Sequence, residues 1–333
     1  MIELRNDALL FTFPEVHPEA VMRVEFQRTL RIPDDGRSYP LPPGLGRFPV
    51  RHVDDFAAGV PGEWLRRGGV MLPLYQSEAL WLRFESVHGY EFAVKVAAGK
   101  VNAVTGADWS DELQRMPQDF VSVPKQPWLD GFCVGEGVIR QFVAMPLGSG
   151  YSVEEQLTGS AEHGGIQLLV HPAKRPPHRL RGIARLRESP AAPMRDLALE
   201  CCADMGLAMG GEMHQEIYVD ERDFAEWDVT HRSRCFVHLL NSLVWRSITG
   251  AEPPQTPVTA AEYTRAGLPW FEYYAVDEQA LAGSARLAGV KSVAQLGEAR
   301  GDNPLPENTT VGPAHVIELR QGLRKDQVRE GAF

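Results

Sequence analysis

An alternation of apolar and polar residues over positions 21–32 constrains the fold of this chain more than any other feature. Met22, Val24, Phe26 and Leu30 share one side of the stretch, and charged or polar residues occupy most positions between them. Successive side chains of a β-strand point to opposite faces, so a period of two predicts a strand with one buried face. The chain therefore begins as β structure.

Other stretches of the first half alternate in the same way or form short apolar runs separated by turn residues. They predict further strands at residues 80–85, 92–96, 100–104, 119–123, 137–146 and 166–170. Two short helices are predicted between strands. One begins at Pro61 and ends at Gly68, and the other has a Ser152–Glu155 capping box and ends at Gly159.

The second half is predicted to be more helical. Residues 231–249 carry the strongest helical pattern, because polar residues recur there every three or four positions and Gly250 follows as a stop. On this helix Leu240, Leu243 and Val244 should belong to the core, and Trp245 should lie at the edge of the polar stripe. Weaker patterns predict helices at 194–205, 259–266 and twice within 277–300, and strands at 212–219 and 314–319.

These patterns predict a β-rich α+β fold, with a largely antiparallel sheet in the first half and helices toward the C-terminus. Prolines and arginines concentrate at residues 172–194, which is the best internal boundary. The sequence thus predicts a β-rich region at 1–171, a basic connection at 172–194 and a mixed α/β region at 195–333. It leaves open that all three form one continuous domain.

Composition limits the classes of function. The 333-residue chain has a net charge of −10, which argues against general binding to nucleic acid or to an anionic membrane. Its 4 cysteines form no CxxC pair, which argues against a disulfide scaffold and against a zinc ribbon. No stretch is long and apolar enough for a spanning helix. We expect a soluble, cytoplasmic protein without membrane insertion.

Residues 212–238 hold three histidines and seven acids, so a metal or acid–base site is most to be expected there. On a strand, Glu212, His214 and Glu216 share one face and could bind a divalent metal or transfer a proton. A half-exposed strand that turns polar residues outward explains the same pattern. A metal would also need ligands from another element, since alternate strand residues lie about 7 Å apart.

The same stretch offers two weaker candidates. His238 and His231 lie seven positions apart on the predicted helix, too far apart to share an ion, but either could act alone as an acid or base. Structural histidines at a cap or on the surface are the alternative. Cys235 could be an activated thiolate near a helix N-terminus, but its apolar neighbours favour a buried, inert thiol.

Two aromatic segments and one basic segment could bind partners. The aromatic segments at 127–132 and 269–274 could stack on a sugar or grip a protein, although rings that anchor loops to the core are more common. The basic segment could contact an acidic partner or be a solvated linker, and its cations are Lys174, Arg175, Arg179, Arg181, Arg185 and Arg187.

Four strings resemble those of a bacterial protein family with no known function. They are RTLRIPDDG at 28–36, QPWLDG at 126–131, RQFVAMPLG at 140–148 and GLPWF at 267–271. The resemblance covers most of the chain. It implies a source for the protein and assigns no site residue.

Two hypotheses about function follow. The leading one is a non-enzymatic binding or assembly protein, with a protein partner or a second copy of itself and no required cofactor. The alternative is a metal-assisted hydrolase that uses Glu212, His214 and Glu216, with a divalent metal as its cofactor.

Overall fold

The computed structural model describes residues 1–176, 204–273, 278–305 and 307–319. Most strands belong to one 17-stranded sheet. Its first strands are β1 (Ile2–Arg5), β2 (Ala8–Thr12), β3 (Val21–Thr29), β4 (Ser38–Tyr39), β5 (Gly44–Arg47), β6 (Arg51–His52), β7 (Val70–Leu74) and β8 (Ala79–Ser86). The others are β9 (Phe92–Ala98), β10 (Val101–Asn102), β11 (Val121–Val123), β12 (Trp128–Leu129), β13 (Gly131–Gly135), β14 (Val138–Pro146), β15 (Ile166–Pro172), β16 (Asp204–His214) and β17 (Ser233–Asn241).

Short helices and a small second sheet complete the described fold. The helices are α1 (Gly62–Arg67), α2 (Val153–Thr158), α3 (Ser242–Thr249), α4 (Ala260–Arg265), α5 (Ala285–Ala288) and α6 (Val293–Arg300). The second sheet is a parallel pair, β18 (Trp270–Tyr273) and β19 (Val316–Leu319). The β-rich α+β fold with a largely antiparallel sheet is therefore confirmed, and most helices lie in the second half.

Strand pairing divides the large sheet into two parts. In one part β2, β3, β8, β14 and β16 pair in that order, all antiparallel. In the other part β7, β17, β15 and β9 are neighbours, with a parallel pair between β7 and β17. The pairs Asp204–Leu240 and Met205–Leu239 join β16 to β17, and we call this junction the seam.

The core lies on both sides of the central strands. Every residue of β7, β9 and β15 is buried, so both faces of these strands are covered. The alternating stretch at 21–32 forms β3 and its exit, and its apolar side is buried as predicted. The capping box of Ser152 and Glu155 is also confirmed, at the start of α2.

The prediction of one helix over residues 231–249 is wrong. The first part is β17, and the helix α3 begins only at Ser242 with Asn241 as its cap. β17 pairs with β15 on one edge and β7 on the other, and all its residues from Cys235 on are buried. Pairing on both edges satisfies the backbone hydrogen-bonding groups of β17, and this outweighs the helical period of its sequence. The sequence of one segment cannot reveal such pairing with distant strands.

The assignment of faces on this segment is wrong at two positions. Leu240 is buried with 0% exposure, as predicted, but Leu243 is 44% exposed. Trp245, predicted at the edge of the polar stripe, is buried with 0% exposure. A strand followed by a helix changes the side-chain period from two to 3.6, so one helical wheel cannot describe both halves.

The strand predicted at 212–219 also differs from the observed strand in its bounds. β16 begins at Asp204 and ends at His214, where its partner β14 begins at Val138. Asp204 and Met205, assigned by sequence to a helix over 194–205, belong to this strand, and residues 194–203 lie outside the described residues. Residues 177–194 of the predicted connection lie outside them as well. The three-part domain division stays a prediction.

Candidate ligand-binding cleft

A cleft of about 500 Å³ opens beside α1 and the ends of β7, β15 and β17. Its volume is in the range of small-molecule sites. We call it the α1 cleft. Its polar lining comprises His52, Asp54, Arg66, Arg67, Lys100, His163, Gln167 and Arg234, and the rest is Ile2, Leu4, Leu9, Gly69, Val70, Cys235 and Phe236.

Glycine allows two strands to meet at the floor of the α1 cleft. α1 ends at Gly68, and Gly69 follows with a φ of +90°. A Cβ at Gly69 would lie 2.1 Å from the carbonyl oxygen of Phe236. Only glycine therefore lets β7 begin directly against β17, which brings the arginines of α1 to the cleft.

Cations outnumber acids in the lining. Arg66 and Arg67 both pair with Glu63, and Arg234 pairs with Asp111, so two acids outside the lining offset part of this charge. Lys100 lies in the β9–β10 turn, and among the described residues its ammonium has no ion pair or hydrogen-bond partner. An uncompensated ammonium in a cleft attracts an anion more strongly than one on an open surface.

The opposite side of the α1 cleft is apolar. Ile2, Leu4 and Leu9 come from the β1–β2 hairpin and are joined there by Val70. Arg67 lies over the ring of Phe236, with its guanidinium carbon 5.4 Å from the ring centroid. The cleft thus offers an apolar surface next to positive charge, which suits a ligand with both an apolar part and a negative group.

A buried carboxylate, that of Glu154, lies behind the lining residue His163. Glu154 of α2 accepts a hydrogen bond from the backbone N–H of Gly164 at 2.7 Å, and its other oxygen lies 3.0 Å from His163 Nδ1. Gly99, with a φ of +56°, lies directly over this carboxylate, and a Cβ there would come within 2.3 Å of it. The glycine turn between β9 and β10 therefore leaves room for Glu154 beneath the cleft.

A second polar group lies at the seam behind the cleft. Trp64 of α1 donates its indole N–H to Asp204 Oδ2 at 3.2 Å and stacks on His238 with ring centroids 4.4 Å apart. Asp204 Oδ1 and His238 Nδ1 are buried without a hydrogen-bond partner in the described part of the chain. Buried polar atoms of this kind are uncommon and often mark functional sites.

Burial shifts both groups toward their neutral forms. It raises the pKa of Asp204 to about 6, and the nearby charge of Glu154 adds to this rise. It lowers the pKa of His238 to about 4. The Gly68 carbonyl can only accept a hydrogen bond, so the 3.0 Å contact places the proton of His238 on Nε2.

The structure places the predicted metal ligands apart from this cleft. Glu212, on β16, forms an ion pair with Arg140 at 2.9 Å. His214 is exposed at the end of the strand, and Glu216 lies beyond it, where burial and the charge of Glu136 raise its pKa. No group of three His, Cys, Asp or Glu residues that could hold a metal is found among the described residues. The metal-assisted hydrolase stays a prediction.

The other candidates are structural in character. His231 contacts Asp228 Oδ2 through Nδ1 at 2.8 Å, outside the cleft. Cys235 is buried, and burial raises the pKa of its thiol to about 12, as expected for the inert alternative. Of the aromatic segments, Trp270 is fully buried and anchors its loop to the core, while Trp128 is half-buried and packs on Tyr273.

The basic segment is described only at its start. Lys174 is exposed and donates a hydrogen bond to the Ala225 carbonyl at 2.8 Å, and Arg175 is exposed beside it. Arg179, Arg181, Arg185 and Arg187 lie outside the described residues. Contact of this segment with an acidic partner stays a prediction.

Sequence reasoning missed the residues that build the α1 cleft. Lys100, His163 and Glu154 come from different turns and a helix, and no spacing connects them. The one available signal was the Gly164–Gly165 pair after His163, which marks a close backbone approach to β17 and to Met205.

A comparison of the chain with family models, curated proteins and solved structures finds no match. The resemblance to a bacterial family stays a prediction. No helix within the described ranges is long and apolar enough to cross a membrane.

Proposed function

We propose that the protein is a binding protein whose α1 cleft takes a small amphipathic anion, such as a carboxylate on a short apolar chain. One observation carries this proposal: Lys100, whose ammonium has no partner among the described residues, lines a cleft of about 500 Å³ in a chain of net charge −10. The apolar wall of Ile2, Leu4 and Leu9 favours a ligand with a hydrocarbon part.

The lining supplies recognition without a reaction. The sulfur of Cys235 is buried with a raised pKa, which removes it as a nucleophile at neutral pH. The arginines are already oriented by Glu63 and Asp111, so they lose little freedom when a ligand binds. Binding is therefore the function that these groups support best, in agreement with the leading hypothesis from sequence.

Isothermal titration of the full chain with hexanoate tests the proposal. Wild type should bind one hexanoate, and Lys100→Met should weaken binding by about tenfold or more, because hydrogen bonds to charged groups contribute about 1.5–3 kcal/mol. Lys291→Met is the matched control, since Lys291 is exposed and lies outside the cleft. No binding by wild type, or an equal loss in both variants, would refute the proposed site.

A further inference from the structure

We propose that His163 binds the anion as an imidazolium held by Glu154, so that the protein takes up a proton when the ligand binds. The inference rests on the proposed function of the α1 cleft, and it assigns His163 a direct contact with the ligand and Glu154 a positioning role. The argument starts from the 3.0 Å contact between His163 Nδ1 and Glu154 Oε1.

The carboxylate fixes which nitrogen carries the proton. An ionised carboxylate can only accept a hydrogen bond, so Nδ1 of His163 is the donor in this contact. In the neutral ring, Nε2 then carries a lone pair. Nε2 makes no hydrogen bond to a described residue, 23% of the His163 side chain is exposed, and His163 lines the cleft. This nitrogen is the one that a ligand can reach.

An anion next to Nε2 changes the charge of the ring. A lone pair on Nε2 repels a ligand carboxylate, whereas an N–H there donates a hydrogen bond to it. The second proton comes from solvent and stays on Nε2. In the bound state the imidazolium of His163 therefore lies between two carboxylates, that of the ligand at Nε2 and that of Glu154 at Nδ1. No bond to carbon forms or breaks.

Glu154 is placed to stabilise this imidazolium. Its side chain is 2% exposed, and within the described ranges the N–H of Gly164 is the one backbone donor to its carboxylate. The Arg67 guanidinium is already bonded to Glu63 and to the carbonyls of Glu162 and His163. A carboxylate oxygen 3.0 Å from Nδ1 forms a stronger hydrogen bond with an imidazolium than with a neutral ring.

Other charged groups near His163 set the background for a pH measurement. Arg66, Arg67 and Lys100 oppose a positive charge on the ring, and Asp54 favours it, all from the lining of the cleft. Behind it, Asp204 lies close enough to Glu154 for the two acids to repel each other. His52 also lines the cleft, so each variant must be compared with wild type at the same pH.

Titration calorimetry in two buffers measures the proton directly. Hexanoate is titrated at about pH 8, the upper end of the range in which histidines change charge, in Tris and in triethanolamine, two cationic buffers with different ionisation enthalpies. Wild type should take up about 0.5–1 proton per bound hexanoate. Hexan-1-ol, which has no charge, should bind more weakly and without proton uptake.

Variants separate positioning from ligand contact. His163→Gln should bind hexanoate more weakly and take up no proton, and Glu154→Gln should show reduced uptake with His163 still present. His231→Gln is the control, because His231 has the same kind of partner, Asp228, outside the cleft, and its uptake should equal that of wild type. If Glu154→Gln does not fold, the comparison of His163→Gln with wild type decides the question.

The outcomes separate this inference from the proposed function. Binding of hexanoate with no proton uptake, or with equal uptake in wild type and His163→Gln, overturns the role of His163 and leaves the cleft as a binding site. Full uptake in folded Glu154→Gln overturns the positioning role of Glu154. Absence of hexanoate binding overturns the proposed function and this inference together.

Discussion

Two carboxylates, the buried Glu78 and the half-buried Asp204, belong to the same fold but have different surroundings. Arg28 donates two hydrogen bonds to Glu78 Oε1, at 2.9 and 2.7 Å, and the N–H of Tyr75 donates to Oε2 at 2.9 Å. Asp204 has the indole of Trp64 on one oxygen and no partner on the other within the described chain. The first site is a closed ion pair, and the second is an acid left partly unpaired.

The difference shows where the fold tolerates uncompensated polar groups. Glu78 precedes β8, two pairings from β16, and Arg28 pairs with it, although burial still raises the pKa of Glu78. Asp204 lies at the seam with His238, next to the α1 cleft that Gly69 and Phe236 line. Asp204 Oδ1 and His238 Nδ1 thus lie unpaired behind the proposed site, and other described residues away from it, such as Arg23 and Glu216, also have an unpaired buried atom.

Breaking the closed pair should have the largest effect. Arg28→Met should lower the free energy of unfolding by about 3–5 kcal/mol, because it leaves the charge of Glu78 buried without a partner. Urea unfolding at pH 7 measures this. Arg246→Ala is the control, since its pair with Glu252 is 70% and 68% exposed, and it should cost about 0.5 kcal/mol or less. Equal losses would show that Glu78 is not a compensated buried charge.

The apolar packing at the seam should also be costly to remove. Leu240 lies opposite Asp204 in the strand pairing and packs in a cluster with Trp64 and Trp245. Leu240→Ala should lower the free energy of unfolding by about 2–5 kcal/mol through lost burial and a cavity. Leu243→Ala, at an exposed position of α3, should change it by about 0.5 kcal/mol or less. Large losses in both variants would instead support the single helix predicted from sequence, on which both leucines belong to the core.

Neutralising the unpaired acid should stabilise the protein. The folded-state pKa of Asp204, about 6, lies above the usual unfolded value of about 3.9. The folded state therefore holds the proton more tightly, and the stability this provides is present below about pH 4 and lost as pH rises through about 6. Asp204→Asn, which can still accept from Trp64, should raise the free energy of unfolding by about 2 kcal/mol at pH 7.

The pH profile checks the sign of this effect. The difference between Asp204→Asn and wild type should be small near pH 4 and reach its full size above about pH 7. The comparison must be made at each pH, because the pKa of His238 is lowered to about 4. Its contribution to the free energy of unfolding is lost as pH falls, whereas that of Asp204 is lost as pH rises. A difference that shrinks as pH rises would show that Asp204 is stabilised as an anion.

Local signals in the sequence predicted much of the fold. The alternation of β3, the capping box of α2 and the short helices α4 and α6 depend on neighbours along the chain, and all are present. β17 was mistaken for a helix because its strand character comes from β7 and β15, which are distant in sequence.

The α1 cleft could not be predicted for the same reason. Its lining runs from Ile2 to Phe236, and apart from Arg66 and Arg67 of α1 its polar groups come from separate turns, loops and strands. The sequence instead predicts a site in the acid-rich stretch at 212–238, where the structure holds Glu212 in an ion pair with Arg140. A cluster of suitable residues in sequence is a weaker indication of a site than a cleft that gathers them in space.

Mapping where an anion binds tests the proposed site most directly. Hexanoate is titrated into the ¹⁵N-labelled full chain while amide chemical shifts are followed. The largest shifts should fall on Gly69, Lys100, His163 and Phe236, with none around the Arg28–Glu78 pair, and Lys100→Met should need higher hexanoate for the same shifts. Shifts that centre instead on the second cleft, of about 770 Å³ beside Met116 and Gly283, or that scatter over the surface, would contradict binding in the α1 cleft.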